Sequence, residues 1–227
     1  MYSRQALLKV DTNMIAVLFV GMLLACIRLG RFARHVSTFV HELGHCVGAV
    51  MVGALARSIK YQPDSSGVAV LGFSAHIGRI RRVIVLLAGY ASPSILSGAL
   101  IAGVLIGRPL EILMGLTALA AGALTLLVRN MWGMYVTMLI CLSTGIGAYY
   151  LSEYLAEWAL LLVSGVLMSR GVIDSVEQYR LKDSLSSDAD IISKTLYGVP
   201  RQLVAGLQVF FNLASLLAMV LLLVSRL

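Results

Sequence analysis

Long apolar runs separated by short polar breaks fill the chain from residue 14 to residue 224. An α-helix rises ~1.5 Å per residue, so a hydrocarbon layer of ~30 Å is crossed by roughly 17 to 25 apolar positions. Runs near that length lie at 14–33, 37–56, 83–107, 110–128, 134–152, 155–170 and 203–224, which predicts an all-α polytopic membrane protein of about six to seven transmembrane helices. The first has a short uninterrupted stretch, Met14 to Ile27, before Arg28, Arg31 and Arg34. Two polar inserts break the rhythm. Residues 57–79 alternate apolar and polar positions on both sides of Pro63-Asp64-Ser65-Ser66-Gly67, a turn signal, and predict a β-hairpin at the membrane surface. Residues 171–202 hold four of the chain's six aspartates, Asp174, Asp183, Asp188 and Asp190, and read as a polar segment. No internal period is present, so 1–227 is expected to form one membrane-embedded domain. The run at 83–107 is rich in small residues and contains Pro93, which predicts close helix packing and a kink. A kink frees a carbonyl at membrane depth, and a watered cavity would satisfy it.

Composition agrees: 59% of residues are hydrophobic and 13% charged, with a mean hydropathy of +0.90. The net charge of +7 would suit nucleic acid were it not sorted by side of the membrane. Segments up to Asn13, 57–82, 129–133 and 171–202 carry Arg4, Lys9, Arg57, Lys60, Arg79, Arg81, Arg82, Arg129, Arg180, Lys182, Lys194 and Arg201, with Arg170 at the boundary. The opposite side keeps Arg28, Arg31, Arg34, Arg108 and Arg226. Positive charge marks the cytoplasmic side, which places both inserts and the N-terminus there and the C-terminus outside. The charge therefore encodes orientation in a lipid bilayer, and no nucleic-acid partner is expected. Cys26, Cys46 and Cys141 sit in apolar runs at no metal-site spacing and read as buried thiols.

One apolar run contains ionisable residues that orientation does not explain: His41-Glu42-Leu43-Gly44-His45. On a helix, residues four apart share a face, so His41 and His45 can offer two imidazole nitrogens to one metal ion. Glu42 lies beside that face and can take a proton from water at the metal. Two ligands, an adjacent base and an open position are the working parts of His-Glu-x-x-His zinc hydrolases. With 4 histidines and five glutamates in the chain, the pentapeptide has an expected chance count of roughly 0.002, and a carboxyl in hydrocarbon carries an energetic cost.

With these residues in view, the chain resembles the site-2 protease family of intramembrane zinc metalloproteases, and within it a compact bacterial branch. The resemblance rests on HELGH opening an apolar helix that leads to a hairpin, then on SSGVAV (Ser65 to Val70), AGYASP (Ala88 to Pro93), RNMWG (Arg129 to Gly133) and SDADIISKTLYGVP (Ser187 to Pro200), in that order. It departs from the better-known members, which take a third zinc ligand from an Asp-Gly motif, for this chain has no Asp-Gly. The resemblance implies Zn²⁺ as cofactor and Asp188, in the Ser-Asp-Ala segment, as third ligand; Asp190 and then Asp174 stand behind it. His35 and His76 read as interfacial or hairpin residues. Arg129 and Asn130 have a structural reading, an arginine at the interface and a cap for the next helix. They also have a functional one, with Asn130 polarising a substrate carbonyl or holding an extended substrate.

The implied activity is regulated intramembrane proteolysis at the bacterial inner membrane, with the site toward the cytoplasm. Glu42 would be general base and acid, and the partner a membrane-spanning protein or peptide. The hairpin edge, with Val68 and Val70, would bind the unwound substrate by β-addition. Two other classes fit parts of the pattern: a non-proteolytic zinc-binding membrane scaffold or pseudoprotease, and a transporter. The intact Glu42 argues against the first, and the absence of an inverted repeat against the second.

Overall fold

Leucine- and alanine-rich runs without charge form helices because nothing but the helix satisfies backbone polar groups in hydrocarbon. The computed structural model describes residues 12–26, 30–74, 76–180 and 187–225. Arg4, Lys9, Arg28, Lys182, Asp183 and Arg226 lie outside them. The elements run α1 (Thr12–Cys26), α2 (Gly30–Met51), β1 (Leu55–Tyr61), β2 (Gly67–Gly72), α3 (Arg79–Leu105), α4 (Pro109–Leu126), α5 (Met131–Tyr150), α6 (Glu153–Arg180), α7 (Asp188–Thr195) and α8 (Arg201–Val224). Among the described helices, α3, α4, α5, α6 and α8 are long and apolar enough to cross a membrane, and α1 is a shorter apolar helix. The protein is a multi-pass, all-α membrane protein with one small antiparallel hairpin. Exposed apolar side chains such as Leu142 and Ile146 on α5, and Phe210, Leu217 and Leu221 on α8, form outer faces suited to lipid.

Close crossings hold the core. A Cβ on Gly21 would collide with Leu162 O, and one on Gly165 with Leu18 O, so α1 and α6 touch backbone to backbone. Pro93 lies inside α3 and leaves Gly89 O without its helical donor. Ser92 Oγ fills that place at 2.7 Å, and also lies 2.8 Å from Val40 O. The carbonyl expected to need a watered cavity thus shares the single proton of the neighbouring hydroxyl with Val40 O.

Element boundaries differ from the hydropathy reading where polar residues find tertiary partners. α2 begins at Gly30, not at 37, and ends where Gly53 turns left-handed (φ 78°); the Ala54 amide then bonds Ala49 O at 2.7 Å. α6 continues to Arg180, ten residues past the apolar run that ends at 170. Its added turns are partnered: Asp174 by Arg170 and by Ser37 Oγ at 3.0 Å, Glu177 by Arg34 at 3.4 Å, and Gln178 by Tyr90, and the Arg34 pair puts that arginine beside segment 171–202 and not on the opposite side where the charge pattern places it. The segment expected as a plain polar stretch forms α7, capped by Ser187, whose Oγ accepts the Asp190 amide. Ala189 and Ile192 bury α7 against Val83 and Leu86 of α3 and Val204 and Ala205 of α8.

The hairpin pairs Ile59 with Ala69, Lys60 with Val68 and Tyr61 with Gly67. β1 is flanked on its other side too, since Ile59 N–H donates to Leu127 O (2.8 Å) and Arg129 N–H donates to Ile59 O (3.1 Å). The outer edge of β2 has no strand beside it among the described residues and faces α2, where Gly67 packs against Thr38 and Glu42. The turn is docked on α2: Thr38 Oγ1 donates to Ser65 O at 2.8 Å, and His35 Nε2 lies 3.2 Å from Ser65 Oγ. Asp64 accepts from the Ser66 amide (2.9 Å) and hydroxyl (2.7 Å), and these bonds hold its pKa below the ordinary value.

Candidate metal centre

α2 carries His41, Glu42 and His45 on its inner side, and α3 makes room for them. A Cβ on Gly44 would meet Ser92 of α3, and one on Gly89 would press on the His45 ring, so glycines on both helices let the helix pair close. His45 is buried, and its Nδ1 lies 2.9 Å from Val85 O. Nδ1 therefore carries the proton, and Nε2 presents its lone pair inward. His41 lies one turn away with its ring edge-on to Tyr90, centroids 4.7 Å apart.

Asp188, first residue of α7, completes a tight triangle. Its Oδ2 lies 3.2 Å from His41 Nε2 and 3.0 Å from His45 Nε2, and the two nitrogens are 3.1 Å apart. Two ligands at ~2.05 Å from a tetrahedral zinc stand roughly 3.3 Å from each other. The donor set thus fits such an ion in both spacing and type, and it is the one group of three such residues among those described whose donor atoms converge for a metal. An ion in the triangle requires Asp188 as a carboxylate and both imidazoles neutral, with the two Nε2 lone pairs turned to the metal.

The runner-up aspartates are engaged elsewhere. Asp174 faces Arg170 and Ser37, while Asp190 pairs with Arg201 at 3.4 Å and accepts from Ser187 Oγ at 2.9 Å. Glu42 is buried beside the triangle, and the Ala69 amide of β2 faces its carboxylate. His35 joins the hairpin turn, and His76 is exposed ahead of α3.

Asn130 stands at the start of α5, yet its side chain does not cap that helix. Its Oδ1 accepts the Tyr61 amide at 3.0 Å and its Nδ2 donates to Tyr61 O, so both ends of the amide clamp β1. Asn130 therefore holds the sheet, and neither cavity at the centre includes it. Arg129 bonds the last carbonyls of α4, Thr125 O at 3.1 Å and Leu126 O at 2.6 Å. Val68 and Val70 are exposed on β2, and Val68 lines the larger cavity. The outward-facing backbone of that strand belongs to other residues. Ile59 and Tyr61 turn their polar groups away from β2, so their partners Ala69 and Gly67 point theirs to the outer edge, where the Ala69 amide meets Glu42, and Val68 and Val70 bond back to β1.

Sequence inspection did not single out Gly89, Tyr90 and Gln178 as parts of the site. Gly89 and Tyr90 fall in AGYASP, which read as a packing face; only the α2–α3 contact gives them a purpose. Two helical histidines, an aspartate and a buried glutamate in a multi-pass membrane protein define the class of membrane metalloproteases. A family model described as Peptidase M50B-like matches residues 13–219, and the chain belongs to that family of site-2 proteases. Comparisons with curated proteins and with solved structures return no match.

Proposed function

We propose that this chain is an intramembrane zinc endopeptidase that hydrolyses peptide bonds of membrane-spanning substrates. The observation that carries the reading is the triangle of His41, His45 and Asp188 donors, each side 3.0–3.2 Å, with buried Glu42 beside it. His41, His45 and Asp188 would hold the ion. Zinc, when bound, supplies Lewis acidity that makes water a nucleophile near neutral pH and polarises a carbonyl. Glu42 takes the proton of the attacking water and returns it to the leaving amine. Water enters through a cavity of about 510 Å³ lined by all four residues.

The substrate would lie extended along β2, adding a strand at the edge formed by Gly67 and Ala69 and taking the Ala69 amide from the Glu42 carboxylate that it faces, with the side chains of Val68 and Val70 beside it. Ala69→Pro removes an edge donor without breaking the β1–β2 ladder and is expected to raise KM roughly tenfold or more with zinc retained. A change in kcat alone would instead point to the lost Ala69–Glu42 contact. Val68→Pro breaks the ladder itself and is not the informative variant.

The cytoplasmic orientation is part of the same reading, supported by Arg57, Lys60, Arg79, Arg81, Arg82, Lys194 and Arg201 on β1, the first turn of α3, α7 and the start of α8, and the bacterial inner-membrane setting follows the resemblance. Residues 1–227 act as one domain in it, since α2, α3, α6 and α7 all wall the site.

The test is zinc per chain in detergent-purified protein, wild type against Asp188→Ala. About one zinc in the wild type and a loss of it in the variant is expected, because catalytic zinc takes three protein ligands. Full retention in the variant would remove Asp188 from the site. A wild type without zinc, purified free of chelators, would favour a scaffold that has kept the fold and lost the chemistry.

A further inference from the structure

Two cavities meet at the metal centre. The larger lies between β2, α3 and α7, and the smaller, about 250 Å³, lies between α2, the hairpin turn and α6. His41, Glu42, Gly67, Tyr90 and Ser187 line both. A peptide passing from one cavity to the other therefore crosses these five residues.

Attack of water on a peptide carbonyl places negative charge on its oxygen, and a fixed neutral donor at that point lowers the barrier. Of the five residues, His41 and Glu42 already have roles, and Gly67 has no side chain and gives its backbone to the substrate strand. Ser187 gives its hydroxyl proton to Asp190 Oδ2 at 2.9 Å. Asn130, the residue the family resemblance suggested for this task, is held by the Tyr61 backbone at both ends of its amide. Tyr90 remains. Its phenol oxygen accepts a hydrogen bond from Gln178 Nε2, which leaves its own proton to donate. The ring is fixed by that bond on one side and by the His41 ring, 4.7 Å away, on the other.

We propose that Tyr90 is a catalytic residue whose phenol donates a hydrogen bond to the scissile carbonyl oxygen as that oxygen gains charge. The phenol keeps its proton throughout, and no bond to it forms or breaks. Gln178 is a positioning residue that holds the phenol through its oxygen. The proposal rests on the peptidase reading and adds a donor to it.

Tyr90→Phe keeps the ring against His41 and removes only the hydroxyl. The probes are the fluorogenic peptide that the wild type cleaves fastest from a random mixture, and the phosphinic isostere of that peptide, whose tetrahedral anion imitates the charged carbonyl. The variant is expected to keep its zinc and its KM, and to lose roughly 10²- to 10³-fold in kcat and a comparable factor in affinity for the isostere. Gln178→Glu, which offers the phenol proton a competing acceptor, is expected to lower kcat in the same direction at unchanged zinc content. A Tyr90→Phe kcat within about threefold of wild type overturns the proposal, since a lost oxyanion donor costs far more. A fall in kcat that comes with loss of zinc also overturns it, for Tyr90 would then be only packing. Cleavage by the wild type with Tyr90→Phe unaffected overturns the role of Tyr90 alone. A zinc-loaded wild type that neither cleaves peptides nor binds the isostere overturns the peptidase reading and this proposal together.

Discussion

Glu42→Gln is expected to end peptide hydrolysis and leave the zinc in place. Glutamine has the size of glutamate and can still sit beside the Ala69 amide, so the buried site keeps its packing. An amide cannot accept the proton of an attacking water, however, and general-base catalysis of this kind contributes roughly 10²- to 10⁴-fold. The convergent donors are those of His41, His45 and Asp188, with Glu42 outside the set, so metal content should match the wild type. Zinc by atomic absorption and cleavage of a fluorogenic peptide, measured on the same preparation, check both halves. Turnover above about a tenth of wild type would remove Glu42 from the role of base, given the size of effect that role carries. The same variant separates enzyme from scaffold, because a scaffold's partner binding has no use for a proton acceptor and would survive unchanged.

How much of this centre was legible beforehand depends on where each part lies in the chain. His41 and His45 are four residues apart on one helix, so the spacing alone brings their donors together, now seen at 3.1 Å. Asp188 is 147 positions from His41, and no periodicity links them; the resemblance of the Ser-Asp-Ala segment and its expected side of the membrane pointed to it. Composition could not rank Asp188, Asp190 and Asp174. What sorts them is tertiary: Arg201 takes Asp190, Arg170 and Ser37 take Asp174, and Asp188 faces the histidines. The same blindness set the end of α6 too early. Hydropathy saw Asp174, Glu177 and Gln178 as the start of a polar segment, but it could not see that α2 and α3 supply them with partners. The cap reading of Asn130 failed differently. A helix-start asparagine commonly caps its own helix, yet here the Tyr61 backbone, 69 positions earlier, offers it a donor and an acceptor together.

Gly89→Ala should disable metal loading by a route that no donor count would suggest. The added Cβ would stand 2.8 Å from His45 Nδ1, and closer still to Cε1 and Nε2 of the same ring. A flexible side chain could swing aside, but this ring is held by the bond from Nδ1 to Val85 O at 2.9 Å and is buried. The methyl must therefore push α3 away from α2 or turn the imidazole out of the triangle, and either change moves Nε2 from its place 3.0 Å from Asp188. Changes that misdirect a metal-bound histidine cost roughly 10- to 100-fold in affinity, and a steric clash at the ring belongs at or beyond the upper end. Competition against a chelator of known affinity measures the loss directly, without a substrate. Gly98→Ala is the matched control on the same helix, where the new methyl meets only the terminal Cε of Met219 at 2.7 Å. That thioether end can rotate away, so zinc affinity should remain at the wild-type value. Equal affinity in Gly89→Ala and Gly98→Ala would show that His45 does not need its present orientation, and with that the match of the triangle to a tetrahedral ion would lose its meaning.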